Sequence, residues 1–100
     1  MSVKIIIDMQ DAEIKKARIK NDTSAYVTVP KKFNNKEVLA IPIPATVEPY
    51  LDDLLEQDRI ILNNVPIYIK TVKEYQKYTH VIYIPHEHAG KEIIIVKKNS

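Results

Sequence analysis

Set against itself with an offset of 55 positions, this chain repeats: residues 3–43 fall on residues 58–98 without a gap. The match is densest where AYVTVPKKFNNKEVLAI (25–41) meets HVIYIPHEHAGKEIIIV (80–96). Pro30 falls on Pro85 and Lys36-Glu37 on Lys91-Glu92. Val27, Val29, Val38 and Ile41 fall on Ile82, Ile84, Ile93 and Val96, and upstream KIII (4–7) falls on RIIL (59–62). A repeat of this length confines the chain to two copies of one small unit, joined by whatever lies between them. Two separate cores of about 45 residues would each be marginal without metal or disulfide. There is no cysteine to supply a bridge. The expectation is therefore one core shared by both copies.

The mismatches carry information too. Asn35 falls on Gly90, just before Lys-Glu in both copies. Glycine enters left-handed backbone freely and asparagine is among the best of the rest, so both copies are expected to turn there with positive φ. The preceding residues differ widely, Lys31-Lys32-Phe33-Asn34 against His86-Glu87-His88-Ala89. Backbone shape is kept while surface chemistry changes.

Isoleucine and valine dominate the apolar residues, which favours strands. In the first unit strands are expected at 3–8 (Val3, Ile5 and Ile7 on one face), 13–20, 25–29 and 36–43. A polar turn, NDTS, occupies 21–24, and a short helical turn 30–35 opens on Pro30. Pro42 and Pro44 blunt the last strand. The second unit repeats this at 58–63, 67–74, 79–84, 85–90 and 91–97.

Between the units, PATVEPYLDDLLEQD places Val47, Tyr50, Leu51, Leu54 and Leu55 at the spacing of one helix face. With Thr46 as N-cap and Pro49 in the first turn, an amphipathic helix near 47–57 is expected to pack on the β core. The domain reading is unit 1 at 1–45, an acidic linker helix at 46–57, and unit 2 at 58–100, both units sharing one core.

Charge follows the same partition. The net charge is +2, but residues 1–45 carry +3, residues 46–58 carry −5 with no Lys or Arg, and residues 59–100 carry +4. Two basic units flank an acidic connector, a distribution that favours polyanion binding more than the total does.

The stretch SAYVTVPKKFNNKEVLAI resembles the swapped-hairpin domain of the SpoVT-AbrB superfamily, and is most similar to a short archaeal branch found with transposons. Ser24-Ala25, Val27, Val29, Pro30, Lys31, Phe33, Lys36 and Val38 match that pattern, as do Ile82, Ile84, Pro85, Gly90, Lys91 and Ile93 in the second copy. Asn35 stands where the family has glycine, and His86 and His88 replace its lysine and aromatic. The resemblance implies a mainly β fold: a tandem AbrB-like swapped-hairpin β-barrel in which one chain forms an intrachain pseudo-dimer, where the family uses two chains. It also implies DNA binding and transcriptional regulation, since many members are regulators or antitoxins. The isoleucine- and lysine-rich composition points the same way, to a thermophilic archaeon or its mobile elements.

A DNA surface is expected on the second strand. In EIKKARIK the alternation puts Lys16, Arg18 and Lys20 on one face and Ala17 and Ile19 on the other. Lys73 and Lys77 occupy the corresponding face of the second copy, interrupted by Thr71 and Tyr75. These cations would contact phosphates, and Arg18 is the candidate for a base contact, because its planar fork reads guanine edges. Lys31 and Lys32, at the start of the helical turn, form a second tier. The tyrosines at 26, 50, 68, 75, 78 and 83 could stack on bases or fill half-buried strand positions.

Other chemistries are poorly served. His80, His86, Glu87 and His88 offer ligand types, but the stretch aligns with a copy that has no histidine. The histidines are read as surface residues of a turn, and no metal or cofactor is expected. There is no G-x-S-x-G, H-E-x-x-H or Walker loop, and Asp52, Asp53 and Glu56 read as the wet face of the connector helix. No run of 18 apolar residues and no signal-peptide pattern is present, so an intracellular, cytoplasmic, non-enzymatic protein is expected. The leading function is a small regulator binding duplex DNA, as a monomeric pseudo-dimer or a homodimer. The alternative is a non-catalytic protein–protein interaction module, antitoxin-like or inhibitory, on the same barrel.

Overall fold

Four expected strands per copy must find partners, and the computed structural model shows how they do so. It describes residues 4–8, 10, 12–44, 46–50, 52–53, 56, 59–63, 65–77 and 79–98. The fold is mainly β. In the first repeat the strands are β1 (Lys4–Asp8), β2 (Ala12–Lys16), β3 (Arg18–Ile19), β4 (Ser24–Val29) and β5 (Glu37–Pro42). In the second they are β6 (Arg59–Asn63), β7 (Tyr68–Thr71), β8 (Lys73–Gln76), β9 (Thr79–Pro85) and β10 (Glu92–Lys97). Short 3₁₀ turns at Lys31–Phe33 and His86–His88 follow β4 and β9. The offset of 55 relates the two sets element by element.

The strands form three antiparallel sheets, in the orders β1-β6, β2-β10-β5-β7 and β3-β4-β9-β8. At the middle of each, a strand pairs with its own counterpart. Ile6 lies opposite Ile61, Val27 opposite Ile82, and Ala40 opposite Ile95. An antiparallel pair whose central residue faces its own equivalent has a local two-fold axis through that central pair. β2 of the first repeat pairs with β10 of the second, and β7 with β5, in the same relative register. The repeats thus exchange strands across the middle sheet.

Burial follows the pseudo-symmetry. One buried cluster includes Val27, Val29, Val38 and Ala40 with their counterparts Ile82, Ile84, Ile93 and Ile95. A second is built from Ile7, Ile41, Ile43, Ile60, Leu62, Val65 and Ile94. Each cluster draws on both repeats. Fully burying one such side chain contributes about 1.5–3 kcal/mol, so neither half could give up the other cheaply. The Cα radius of gyration is 13.1 Å, against about 13 Å for one packed domain of this length.

The second strand, expected to run through 13–20, is broken. It bends at Ala17 between β2 and β3, and its copy bends at Val72 between β7 and β8. Both corner residues are buried, and both bond to the positive-φ turn of the other repeat. The Ala17 N–H donates to the Lys91 carbonyl at 2.9 Å, and the Gly90 N–H donates to the Ala17 carbonyl at 2.8 Å. Correspondingly, the Val72 N–H donates to the Lys36 carbonyl at 3.0 Å and the Asn35 N–H to the Val72 carbonyl at 3.3 Å. Those bonds require the turn to present its backbone, which explains φ of 62° at Asn35 and 85° at Gly90, as the paired Asn and Gly had indicated. The corner moves each strand from the middle sheet to the β3-β4-β9-β8 sheet.

The linker helix near 47–57 is not seen. Among the described residues of the connector there is a 3₁₀ turn at Glu48–Tyr50 and helical backbone only at 52 and 53. Leu51, Leu54 and Leu55 lie outside the described residues. The local bonds run over three residues, from the Val47 N–H to the Pro44 carbonyl and from the Tyr50 N–H to the Val47 carbonyl. Tight turns suit a segment with Pro44 and Pro49, where a helix this short gains little from propagation. Val47 packs on the second cluster, as expected, whereas Tyr50, placed by the periodicity on the same inward face, is 63% exposed.

Candidate nucleic-acid interface

The outer face of the β3-β4-β9-β8 sheet is built by simple alternation. On β4, Ala25, Val27 and Val29 point into the core, leaving Tyr26 and Thr28 outside; on β9, His80, Ile82 and Ile84 point in, leaving Thr79 and Tyr83 outside with Val81, which lines the outer face but is only 4% exposed. Tyr26 lies directly opposite Tyr83, and Thr28 opposite Val81. These residues line a shallow groove of about 350 Å³ that straddles the pseudo-two-fold axis.

Cations sit on the two edge strands of this sheet. Arg18 lies opposite Tyr26 on one edge strand, and its counterpart Lys73 lies opposite Val81 on the other. Lys20 lines the groove and reaches across the repeat boundary, its Nζ 4.1 Å from the centroid of the Tyr83 ring. The chain is turned beneath it by Asn21, whose side-chain oxygen accepts from the backbone N–H of Thr23 at 2.9 Å and of Ser24 at 2.8 Å. That Asx turn fixes where Lys20 leaves the sheet. Lys77 is exposed in the turn after β8. Four of the seven sequence candidates, Arg18, Lys20, Lys73 and Lys77, therefore belong to this sheet and its turns.

The other three stand apart. Lys16 is exposed at the end of β2, opposite Glu92 in the middle sheet, beyond the Ala17 corner. Lys32 forms an ion pair with Glu13 at 3.2 Å and lines a different cleft. Lys31 is exposed on the same 3₁₀ turn. The corner also breaks the expected burial alternation. Ala17 is buried as read, but Ile19 is 67% exposed and lines the groove. Of the tyrosines, Tyr26, Tyr68 and Tyr83 are half-buried, Tyr50 is exposed, the side chain of Tyr75 is not among those described, and Tyr78 lies outside the described residues.

The histidines are not surface residues of a turn. His80 is 3% and His88 6% exposed, and His86 is half-buried. The offset gives the reason. His80 occupies the position of buried Ala25 and His88 that of buried Phe33, so each inherits a core site. His88 Nε2 is hydrogen-bonded to the Tyr68 hydroxyl at 2.8 Å, where the first repeat has Phe33 and Glu13. Burial, reinforced by Lys91 and opposed by Glu87 at 3.5 Å, holds the His88 pKa below the ordinary 6.5. Burial and then Glu87 push the Tyr68 phenol up. No group of three or more His, Asp or Glu suited to a metal ion occurs among the described residues.

A lowered histidine pKa has a signed consequence. Between the folded value and 6.5 the unfolded chain binds more protons, so stability rises with pH and is complete above about 6.5. The urea midpoint is expected to drop between about pH 7.5 and 5.5, and part of that drop should vanish in His88→Phe, which installs the first repeat's residue. An identical drop in the variant would remove His88 as its source.

No helix among the described residues is long and apolar enough to cross a membrane. Comparison with known proteins gives no match: no family model, no curated protein and no solved structure aligns with the chain.

Proposed function

We propose that the protein binds duplex DNA through the outer face of the β3-β4-β9-β8 sheet and acts as a small, non-catalytic transcriptional regulator. The observation that carries this reading is the pairing of Arg18 and Lys73 at pseudo-equivalent positions on the two edge strands of one sheet, with Lys20 lining the groove on its outer face. Neighbouring strands lie about 4.8 Å apart, so the two edge strands are roughly 14 Å apart across the sheet. That span is close to the major-groove width of about 12 Å. Cations at the two edges then meet phosphates on opposite sides of the groove, while Tyr26 and Tyr83 face its floor. A pseudo-two-fold protein surface also matches the local two-fold of duplex DNA.

The architecture fits a tandem swapped-hairpin barrel of the SpoVT-AbrB kind, with units 1–45 and 58–100 around a shared core. The strand exchange between repeats and the three self-equivalent pairs support it. Fusion of the halves into one chain would make assembly independent of concentration.

The direct test is fluorescence anisotropy with a random duplex of about 20 base pairs, titrated with salt. Binding should weaken steeply from about 50 to 200 mM salt, and Arg18→Ala/Lys20→Ala/Lys73→Ala should flatten the log–log slope by about 3. A folded protein that binds no duplex at about 50 mM salt would refute the reading.

A further inference from the structure

The pseudo-symmetry fails at one place in a way that exposes a second site. In the second repeat Leu62 and Ile94, with Ile41 and Ile43 of the first, are buried in the cluster on which Val47 of the connector packs. Their counterparts are Ile7, Leu39, Val96 and Lys98; Ile7 belongs to the same buried cluster and Leu39 packs on it, yet all four line an open cleft of about 660 Å³, with Leu39, Val96 and Lys98 only half-buried. The size is that of a ligand site. Where the covered half has Pro42 and Ile43, the open half has Lys97 and Lys98; where it has Glu87, the open half has Lys32.

The cleft is therefore basic. Lys32, Lys36, Lys97 and Lys98 line it against one carboxylate, Asp8. Lys32 is engaged by Glu13 at 3.2 Å and Lys98 by Glu37 at 3.8 Å. Lys36 and Lys97 are exposed and make no ion pair among the described residues. The remaining wall is apolar, with Ile7, Phe33, Leu39 and Val96 beneath the ammonium groups. A phosphate backbone would use the lysines and leave that wall wet. A peptide with apolar side chains between carboxylates would use both.

On the mate of the cleft, an apolar side chain of the connector is already in place. The connector brings Val47 onto the equivalent apolar surface, and residues 46–58 hold five acidic residues and no basic one. We infer that the open cleft binds an acidic amphipathic peptide segment of a partner protein, an apolar side chain of which sits as Val47 sits on the other half. Lys36 and Lys97 take its carboxylates, and exposed Ile6 with half-buried Leu39 and Val96 takes its apolar side chains.

The probe is a fluorescein-labelled peptide with the sequence of residues 46–58, titrated with the full chain at about 50 mM salt. It is compared with a version carrying Asn and Gln for every Asp and Glu. The acidic peptide should bind, the amide version at least tenfold more weakly, and Lys36→Glu/Lys97→Glu should weaken the acidic peptide at least tenfold. Arg18→Ala/Lys20→Ala should leave peptide binding unchanged, which separates this site from the DNA surface. Three results would each overturn the inference: no binding of the acidic peptide up to about 1 mM, the weak end of specific association; equal binding of the amide version; or loss of duplex DNA binding, rather than peptide binding, in the cleft variant. Doubling of the chain's mass in sedimentation, abolished by the same two substitutions, would instead assign the cleft to a second copy.

Discussion

Ile95→Ala is expected to lose about 2–5 kcal/mol of stability and Ala40→Ile about 1–3 kcal/mol, while the double variant loses less than their sum by at least about 1 kcal/mol. The two positions are pseudo-symmetry mates. They lie directly opposite each other, both fully buried in one cluster. Side chains so paired have Cβ atoms about 5 Å apart, so volume removed at one is available to the other. Deleting Ile95 alone leaves a cavity lined by side chains that cannot all collapse. Enlarging Ala40 alone overfills the same space. Rescue will be partial, because the flanks differ: Tyr68 lies beside Ala40, and its counterpart Glu13 lies beside Ile95. Urea and thermal unfolding of the four chains measures this, with each kcal/mol worth about 4–8 °C at this size. Strict additivity would mean that the two positions do not share a cavity, and the symmetric core would lose its energetic meaning.

What the sequence disclosed about the fold came through the offset of 55 more than through local propensity. The alignment of Asn35 with Gly90 reported a backbone requirement that the two φ values meet. The strands at 25–29 and 79–84 were legible in the aligned valines and isoleucines, but that Val27 would lie directly opposite Ile82 was not. Propensity misled where tertiary bonds decide. EIKKARIK has no glycine or proline to announce a corner, and the bend at Ala17 exists because that residue bonds to Gly90 and Lys91, over 70 positions away. The signal was nonetheless present: Ala17 aligns with Val72, a small apolar pair inside two basic stretches. The connector failed for a related reason, since helical spacing of apolar residues does not report that two prolines favour tight turns.

The histidines show the same lesson from the other side. Read by residue type and by their place in a turn, they belonged on the surface. Read through the repeat, His88 stands where Phe33 stands and His80 where Ala25 stands, and both positions are buried. The candidate DNA surface was half legible. Alternation found Arg18 and Lys20, and the offset found Lys73. The division of Lys16, Lys31 and Lys32 from them required knowing that the strand changes sheets between Lys16 and Arg18.

That division gives the other large effect. Arg18→Ala and Lys73→Ala are expected to weaken random-duplex binding equally, by about tenfold each at about 0.1 M salt, and by about 100-fold together. The figure follows from the slope of about 0.9 per phosphate contact, taken from 1 M salt down one decade. Both side chains are exposed, so neither change should move the unfolding midpoint. Lys31→Ala should do little, and Lys32→Ala little beyond freeing Glu13. On a preferred sequence the symmetry breaks, because only Arg18 carries the fork that pairs with guanine, worth about 1–3 kcal/mol more. Anisotropy on random and selected duplexes separates the two contributions. Should Arg18→Ala abolish binding while Lys73→Ala leaves it untouched, the second repeat makes no contact. The surface would then be one strand and its turn rather than a face shared across the pseudo-two-fold axis.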